Sequence, residues 1–248
     1  MSLEEQLRTN PYLRERLSPQ PGDSLYLHLA DLRIALESVR TESEIKILDY
    51  GCGFSPYRSL FPNSDYRRAD FPREDGDKLD YLFSENSLVE EADSTFDLIL
   101  STQVLEHVKI PNAYLRECYR LLKPGGQLYL TTHGTYPDHA CPYDFYRWTT
   151  DGLAQDISGV GFTIIAREKQ TTGPRAALYH LELQLQNLYP SRRTVFGLFL
   201  FGLKSLFLRV RPRVHRMCDK HFPRNRVVTG QLELHDFYIN TACLAQRP

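Results

Sequence analysis

An α/β fold, with a mostly parallel sheet between helices, is what this 248-residue sequence predicts. Three observations carry that expectation. Short apolar runs that read as buried strands recur along the chain, with Lys46–Tyr50 and Phe96–Ser101 the clearest. Segments of helical periodicity fall between them, and such alternation implies parallel strands joined by crossover helices. The first run ends in Gly51-Cys52-Gly53. Two glycines at that spacing can take positive φ and bring backbone close to a ligand.

Taken in order, Ser24 to Arg40 carries Leu25, Leu29, Leu32, Leu36 and Val39 at helical spacing, with Asp23 or Ser24 as N-cap. This helix should cover the ligand site or the sheet edge. Strand one follows, and Pro56–Phe61 then starts a helix that Pro62-Asn63 cuts short. Tyr66–Phe71 reads as strand two and holds Asp70, Leu79–Phe83 as strand three, and Phe96–Ser101 as strand four. Asn112–Leu122 is an amphipathic helix stopped by Lys123-Pro124-Gly125-Gly126. Gln127–Thr132, Phe162–Glu168 and Phe237–Ala245 complete seven strands, with a helix over Thr150–Val160. Between the last two strands, Thr172 to Gln231 replaces a connection of about two to six residues. The chain therefore divides into an N-terminal helical cap (1–43), a sheet domain (44–171 with 232–248) and a helical insertion (172–231).

Hydrophobic content of 42% and charged content of 25% are those of a soluble globular protein. The segment MSLEEQLRTNPYLRERL lacks an apolar core, so no signal peptide is expected. Five scattered cysteines form no CxxC pair, which indicates neither a zinc site nor disulfides, and no ligand spacing points to another metal. A reducing cytoplasm is the simplest location. Charge is segregated: residues 192–226 hold ten Lys or Arg against one acid, Asp219. Within them Val195–Val210 is almost wholly apolar, yet shorter than the ~20 residues that a spanning helix needs. Phe196, Phe199, Leu200, Leu203, Leu206, Phe207 and Val210, flanked by Arg192-Arg193 and Arg209–Arg216, would suit an anionic membrane surface. Burial against the sheet or in a homodimer is the alternative. Nucleic acid is disfavoured, because the bases surround an aliphatic run and do not interleave with stacking aromatics.

The stretch ILDYGCGFSPY resembles the first motif of Rossmann-like, S-adenosylmethionine-dependent methyltransferases, with Ser55 where a third glycine is usual. A nicotinamide-dependent oxidoreductase would want G-x-G-x-x-G running into a helix, and that third glycine is missing. Further blocks follow in the order of the ubiquinone-biosynthesis-type family: Asp70 nineteen residues after Gly51, then STFDLILSTQVLEHV, LLKPGGQLYLTT and HACPYDFYRWTTDGL. The resemblance implies an S-adenosylmethionine cofactor, with Asp49, Gly51 and Gly53 around its methionine end and Asp70 on its ribose. It also implies Glu85 (with Ser84 or Asn86 as rivals) at the adenine, and Gln103 on the methionine side. His139 and then His107 are the candidates for a general base, where the acceptor needs one. Tyr143, Asp144, Tyr146 and Arg147 fall in the loop where such sheets bind substrates, although Asp144 and Arg147 could equally form a structural ion pair. The expected activity is methyl transfer to a small-molecule, lipid or lipid-linked glycan acceptor, in the cytoplasm or at the inner face of its membrane. A non-catalytic scaffold keeping the fold is the alternative.

Overall fold

Helices α1 (Pro11–Leu17) and α2 (Tyr26–Leu36) precede β1 (Lys46–Tyr50), β2 (Asp65–Asp70), β3 (Tyr81–Leu82) and β4 (Phe96–Thr102). Helix α3 (Pro111–Leu121) leads into β5 (Leu122–His133), and α4 (Thr150–Gly159) into β6 (Thr163–Thr172). The insertion supplies α5 (Pro174–Gln186), α6 (Val195–His221) and β7 (Asn225–Val227) before β8 (Tyr238–Gln246). This computed structural model describes residues 10–72, 78–84, 87–191, 193–229 and 237–248.

Alternation along the central strands decides where the helices lie, because successive side chains point to opposite faces. Leu48 and Tyr50 of β1, Phe96 and Ile99 of β4, and Leu128 and Leu130 of β5 pack on one face with α3 and α4. Ile47, Leu98, Leu100 and Tyr129 point the other way, onto Leu32 and Leu36 of α2. Each such fully buried aliphatic side chain contributes about 2 kcal/mol. The strand order is β3-β2-β1-β4-β5-β8-β6-β7. The first five strands are parallel to one another, and β8 runs antiparallel between β5 and β6.

Among the described residues the sheet has eight strands, one more than the sequence pattern gives. The extra strand, β7, lies inside the insertion and pairs antiparallel with Glu168–Gln170 of β6. Its three residues, with two arginines just before and within it, leave no alternating signature. Three local expectations also change. Pro56–Phe61 forms only a 3₁₀ turn, Arg58–Leu60, because Pro62 stops the segment before an α-helix can propagate. Asp23 does not cap α2 and instead holds the Arg14 guanidinium at 2.8 and 3.1 Å. Helix α6 continues beyond Val210 to His221 through Pro212, whose ring packs on Gly22.

The insertion is bound to α2 by a buried ion network. Arg175, fully buried, donates to Asp31 at 2.7 and 2.9 Å and to Asp219 at 3.0 Å. Arg224 reaches the same two acids. His215 of α6 bonds Glu182 of α5 at 2.7 Å and accepts from the Gly22 N–H at 3.0 Å. The other end of α6 differs: Val195, Phe196, Leu198, Phe199, Leu203 and Leu206 are all exposed. The apolar run is therefore not laid against the sheet.

Candidate active site

The loops after β1, β2 and β4 meet at the carboxyl edge of the sheet. Gly51 has φ +84°, and a Cβ there would lie 2.5 Å from Val104 Cγ2, so only glycine fits. Its N–H and that of Cys52 both donate to Ala69 O, which ties the turn to β2. Gly53 N–H donates to Asp70 Oδ2 at 2.8 Å, and Phe71 N–H to Oδ1 at 2.8 Å. Backbone thus fixes the Asp70 carboxylate; Oδ1 keeps a further lone pair, while the Cys52 thiol also approaches Oδ2 at 4.0 Å.

Below this rim Asp49 is buried and accepts from Tyr66 OH at 2.6 Å. Burial pushes its carboxyl up to about 7, against the pull of Tyr66 and with help from the nearby charge of Asp70. Across the turn, Gln103 sits at φ +58° and is held by its N–H on Thr131 O and its side-chain amide on Thr131 Oγ1. Its Oε1 is buried with no hydrogen-bond partner among the described residues. An orphaned acceptor of this kind costs about 1–3 kcal/mol until a donor arrives. Ser55 and Ser87 also sit at positive φ, in the loops after β1 and β3. Left-handed non-glycine residues cost roughly 1–2 kcal/mol each and gather where a site demands them. Glu85 and Asn86 lie outside the described residues, and Ser84 closes a tight turn with Leu88.

A second cluster stands beside the first. Both expected bases belong to it, with the rings of His107 and His139 4.8 Å apart, edge to face. His107 Nδ1 lies 2.6 Å from the Tyr143 carbonyl. A carbonyl only accepts, so Nδ1 carries a proton, and in the neutral ring Nε2 presents a lone pair. Burial holds His139 below its ordinary range, and the neighbouring charge of His107 adds to this. Two further residues complete the cluster: fully buried Glu106 and nearly buried His133, which stacks on Tyr136 at 3.9 Å. Burial raises the Glu106 carboxyl and drives the His133 imidazole well down. No spacing rule marks these two. The signals available were the neighbour of His107 in the QVLEH turn and a histidine ending a strand at the carboxyl edge.

Asp144 and Arg147 are engaged with one another, through two bonds of 2.6 Å. Asp144 also accepts the His139 N–H, and Arg147 donates to the carbonyls of Tyr136, Pro137 and Tyr146. Arg147 holds the Asp144 carboxyl far below the usual carboxylate range. The pair fixes the shape of the loop. Tyr143, Phe145 and Tyr146 are left exposed on it as an aromatic surface, to which Phe145 adds a ring with no sequence signal of its own.

A mostly parallel sheet with an antiparallel strand between β5 and β6, and a glycine turn whose backbone holds a strand-end acid at the carboxyl edge, is the architecture of a class I, Rossmann-like methyltransferase. The chain belongs to the methyltransferase-domain family, which matches residues 26–165. Among curated proteins it is similar to the ubiquinone biosynthesis O-methyltransferase of Parvibaculum lavamentivorans, 28% identical over 49% of each chain. It is also similar to that of Pseudomonas putida, 38% identical over 26% of this chain and 28% of the relative. The chain thus matches about half the length, or less, of these curated relatives. Among solved structures, an S-adenosylmethionine-dependent methyltransferase from Thermotoga maritima superposes with TM-score 0.55 at 14% identity, covering 100% of both chains. Phosphoethanolamine N-methyltransferase 2 of Haemonchus contortus, in complex with S-adenosylmethionine, gives 0.53 at 15% identity, over 99% of this chain and 57% of that one. The cyclase SpnF gives 0.54 at 15% identity, over 99% and 95%. At such identities the likeness is one of fold.

Proposed function

We propose that this chain is an S-adenosylmethionine-dependent methyltransferase acting on a lipid-like or lipid-linked acceptor at an anionic membrane surface. The observation that carries the cofactor reading is the pairing of Asp70, seated on the Gly53 N–H, with the orphaned Gln103 Oε1. Asp70 suits two ribose hydroxyls, and Gln103 Oε1 suits an α-ammonium. When bound, the cofactor supplies an electrophilic methyl group on sulfur. The protein orients the acceptor along the sulfur–methyl axis and excludes water. For a hydroxyl acceptor, His107 Nε2 takes the proton, held in that tautomer by the Tyr143 carbonyl. The aromatic surface of Tyr143, Phe145 and Tyr146 receives the acceptor body, shaped by Asp144 and Arg147.

Membrane proximity rests on α6. Its first half exposes large apolar side chains on most sides, and exposed Arg193, Arg209, Arg213 and Arg216 bracket that run. Among the described residues no helix is long and apolar enough to cross a membrane. An apolar tip with a basic collar fits the headgroup boundary. The name shared by the curated relatives supports an O-methylated acceptor of lipid-like character. In this reading residues 1–43 and 172–231 form the accessory body that brings the sheet domain to its acceptor, on the cytoplasmic face.

Calorimetry with S-adenosylhomocysteine tests the cofactor. Saturable binding, weakened at least about tenfold in Asp70→Ala, is expected. No binding, or an unchanged Asp70→Ala, would favour a non-catalytic scaffold. Labelled methyl transferred from S-adenosylmethionine should partition into the organic phase of a lipid extract, and His107→Gln should slow it about 10²–10⁴-fold. Sedimentation with anionic vesicles should be lost in Phe199→Asp; retention would remove α6 from the proposal.

A further inference from the structure

We propose that Glu106, His133 and His139 bind a divalent transition-metal cation beside the acceptor. One ligating atom from each of Glu106, His133 and His139 lies within 4.8 Å of those of the other two. Glu106 Oε1 is buried without a hydrogen-bond partner among the described residues. Buried acceptors are normally paired, so an unpaired carboxylate oxygen beside two imidazoles calls for a partner.

The third atom is fixed by a chain of amide logic. His28 Nδ1 lies 2.8 Å from Asn240 Nδ2, which can only donate. Asn240 therefore turns its Oδ1 to His133 Nδ1, also 2.8 Å away, and that nitrogen must donate. Nε2 of a neutral His133 then presents a lone pair toward Glu106 Oε1 at 3.2 Å. Two acceptors at that distance repel unless a cation lies between them. A proton shared by Glu106 and His133 would settle that pair alone, whereas a metal ion would take in His139 as well.

The spacing also fits. Zinc–nitrogen and zinc–oxygen bonds of about 2.0–2.2 Å place adjacent tetrahedral ligand atoms roughly 3.3–3.5 Å apart. Glu106 and His133 already stand near that separation, and His139 needs to move by only about 1–1.5 Å. Outer contacts are of the kind that orient ligands: Asn240 on His133, and Thr132 Oγ1 on Glu106 Oε2 at 2.8 Å. Asp144 Oδ2, 3.5 Å from His139 Nδ1, is already taken by Arg147 and the His139 N–H, so it is not a fourth ligand. Two imidazoles and one carboxylate suit Zn²⁺, Co²⁺ or Fe²⁺ and disfavour Mg²⁺. Three protein ligands leave a position for an acceptor oxygen, whose proton the cation would acidify. Only that last use of the cation rests on the methyltransferase reading.

The test is cobalt titration of the full chain after removal of metal by a chelator. One Co²⁺ per chain with a visible d–d band, displaced by Zn²⁺ and not by Mg²⁺, is expected. His139→Ala, at a half-buried position, should weaken Co²⁺ at least about a hundredfold, and Glu106→Gln likewise. S-adenosylhomocysteine affinity of the same samples separates the two readings, because it should be unchanged in both variants. Absence of the band in excess Co²⁺, or equal Co²⁺ affinity in wild type and His139→Ala, overturns the metal site and leaves the cofactor reading standing. Should Glu106→Gln fail to fold, His139→Ala decides.

Discussion

Asp31 and Glu106 are both fully buried carboxylates, and their surroundings could hardly differ more. Asp31 receives two bonds from Arg175 and one from Arg224, and the Arg224 side is shared with Asp219. Burial pulls its carboxyl up, and the two guanidiniums pull it back down. Glu106 has one side-chain donor, Thr132, and its Oε1 lies 3.2 Å from His133; burial raises its carboxyl, against its own backbone N–H and the more distant charges of His107 and Arg147. The saturated acid joins α2, α5 and α6 into one body. The unsaturated acid stands at the carboxyl edge of the sheet, beside the exposed loop of Tyr143 to Tyr146. Satisfaction of hydrogen bonds, more than burial, separates an acid that holds the fold from one poised for chemistry.

Substitutions should divide along the same line. The largest effect belongs to Arg175→Met, which strips Asp31 of its main partner and should cost about 3–5 kcal/mol in urea unfolding. S-adenosylhomocysteine affinity of the folded fraction should not move. Asp70→Ala should do the reverse, costing about 1.5–3 kcal/mol of ligand affinity by calorimetry with little change in midpoint.

Smaller is the effect of pH through Asp49. Its folded carboxyl is raised to about 7, so the stability it contributes is full below about pH 4 and is lost as pH rises through 7. S-adenosylmethionine carries one positive charge more than S-adenosylhomocysteine. It favours ionised Asp49, so the ratio of the two affinities should shift several-fold toward S-adenosylmethionine between pH 6 and pH 8 (values of about one unit either side of the carboxyl). Asp49→Asn, which keeps a partner for Tyr66, should flatten that ratio. The smallest effect is expected for Glu106→Gln on stability, within about 1 kcal/mol, because the buried site gains a neutral isostere. A loss as large as that of Arg175→Met would erase the distinction between the two acids.

The glycine turn, Asp70 and the order of the strands were legible because they are local. Strand pattern, positive-φ glycine and a strand-end acid each declare themselves within a few residues. Convergence of Glu106 with His133 and His139 is not local: a turn after β4, the end of β5 and the following loop meet only when the sheet closes. Sequence spacing therefore indicated no metal. The exposure of α6 was equally hidden, since Phe196 and Phe199 read the same whether a helix is buried or bare. Asp144 and Arg147 were recognisable as a pair, but the three loop carbonyls that occupy Arg147 are a tertiary fact.

Strand β7 has a consequence for any attempt to dissect the insertion. It covers the outer edge of β6 along Glu168–Gln170, where bare N–H and C=O groups would otherwise invite another chain. Excising residues 172–231 would remove the exposed tip and uncover that ladder in the same stroke. The shortened protein should aggregate by edge-to-edge pairing, whatever became of its affinity for lipid. Point substitutions on the tip, with β7 left in place, keep the two properties separate.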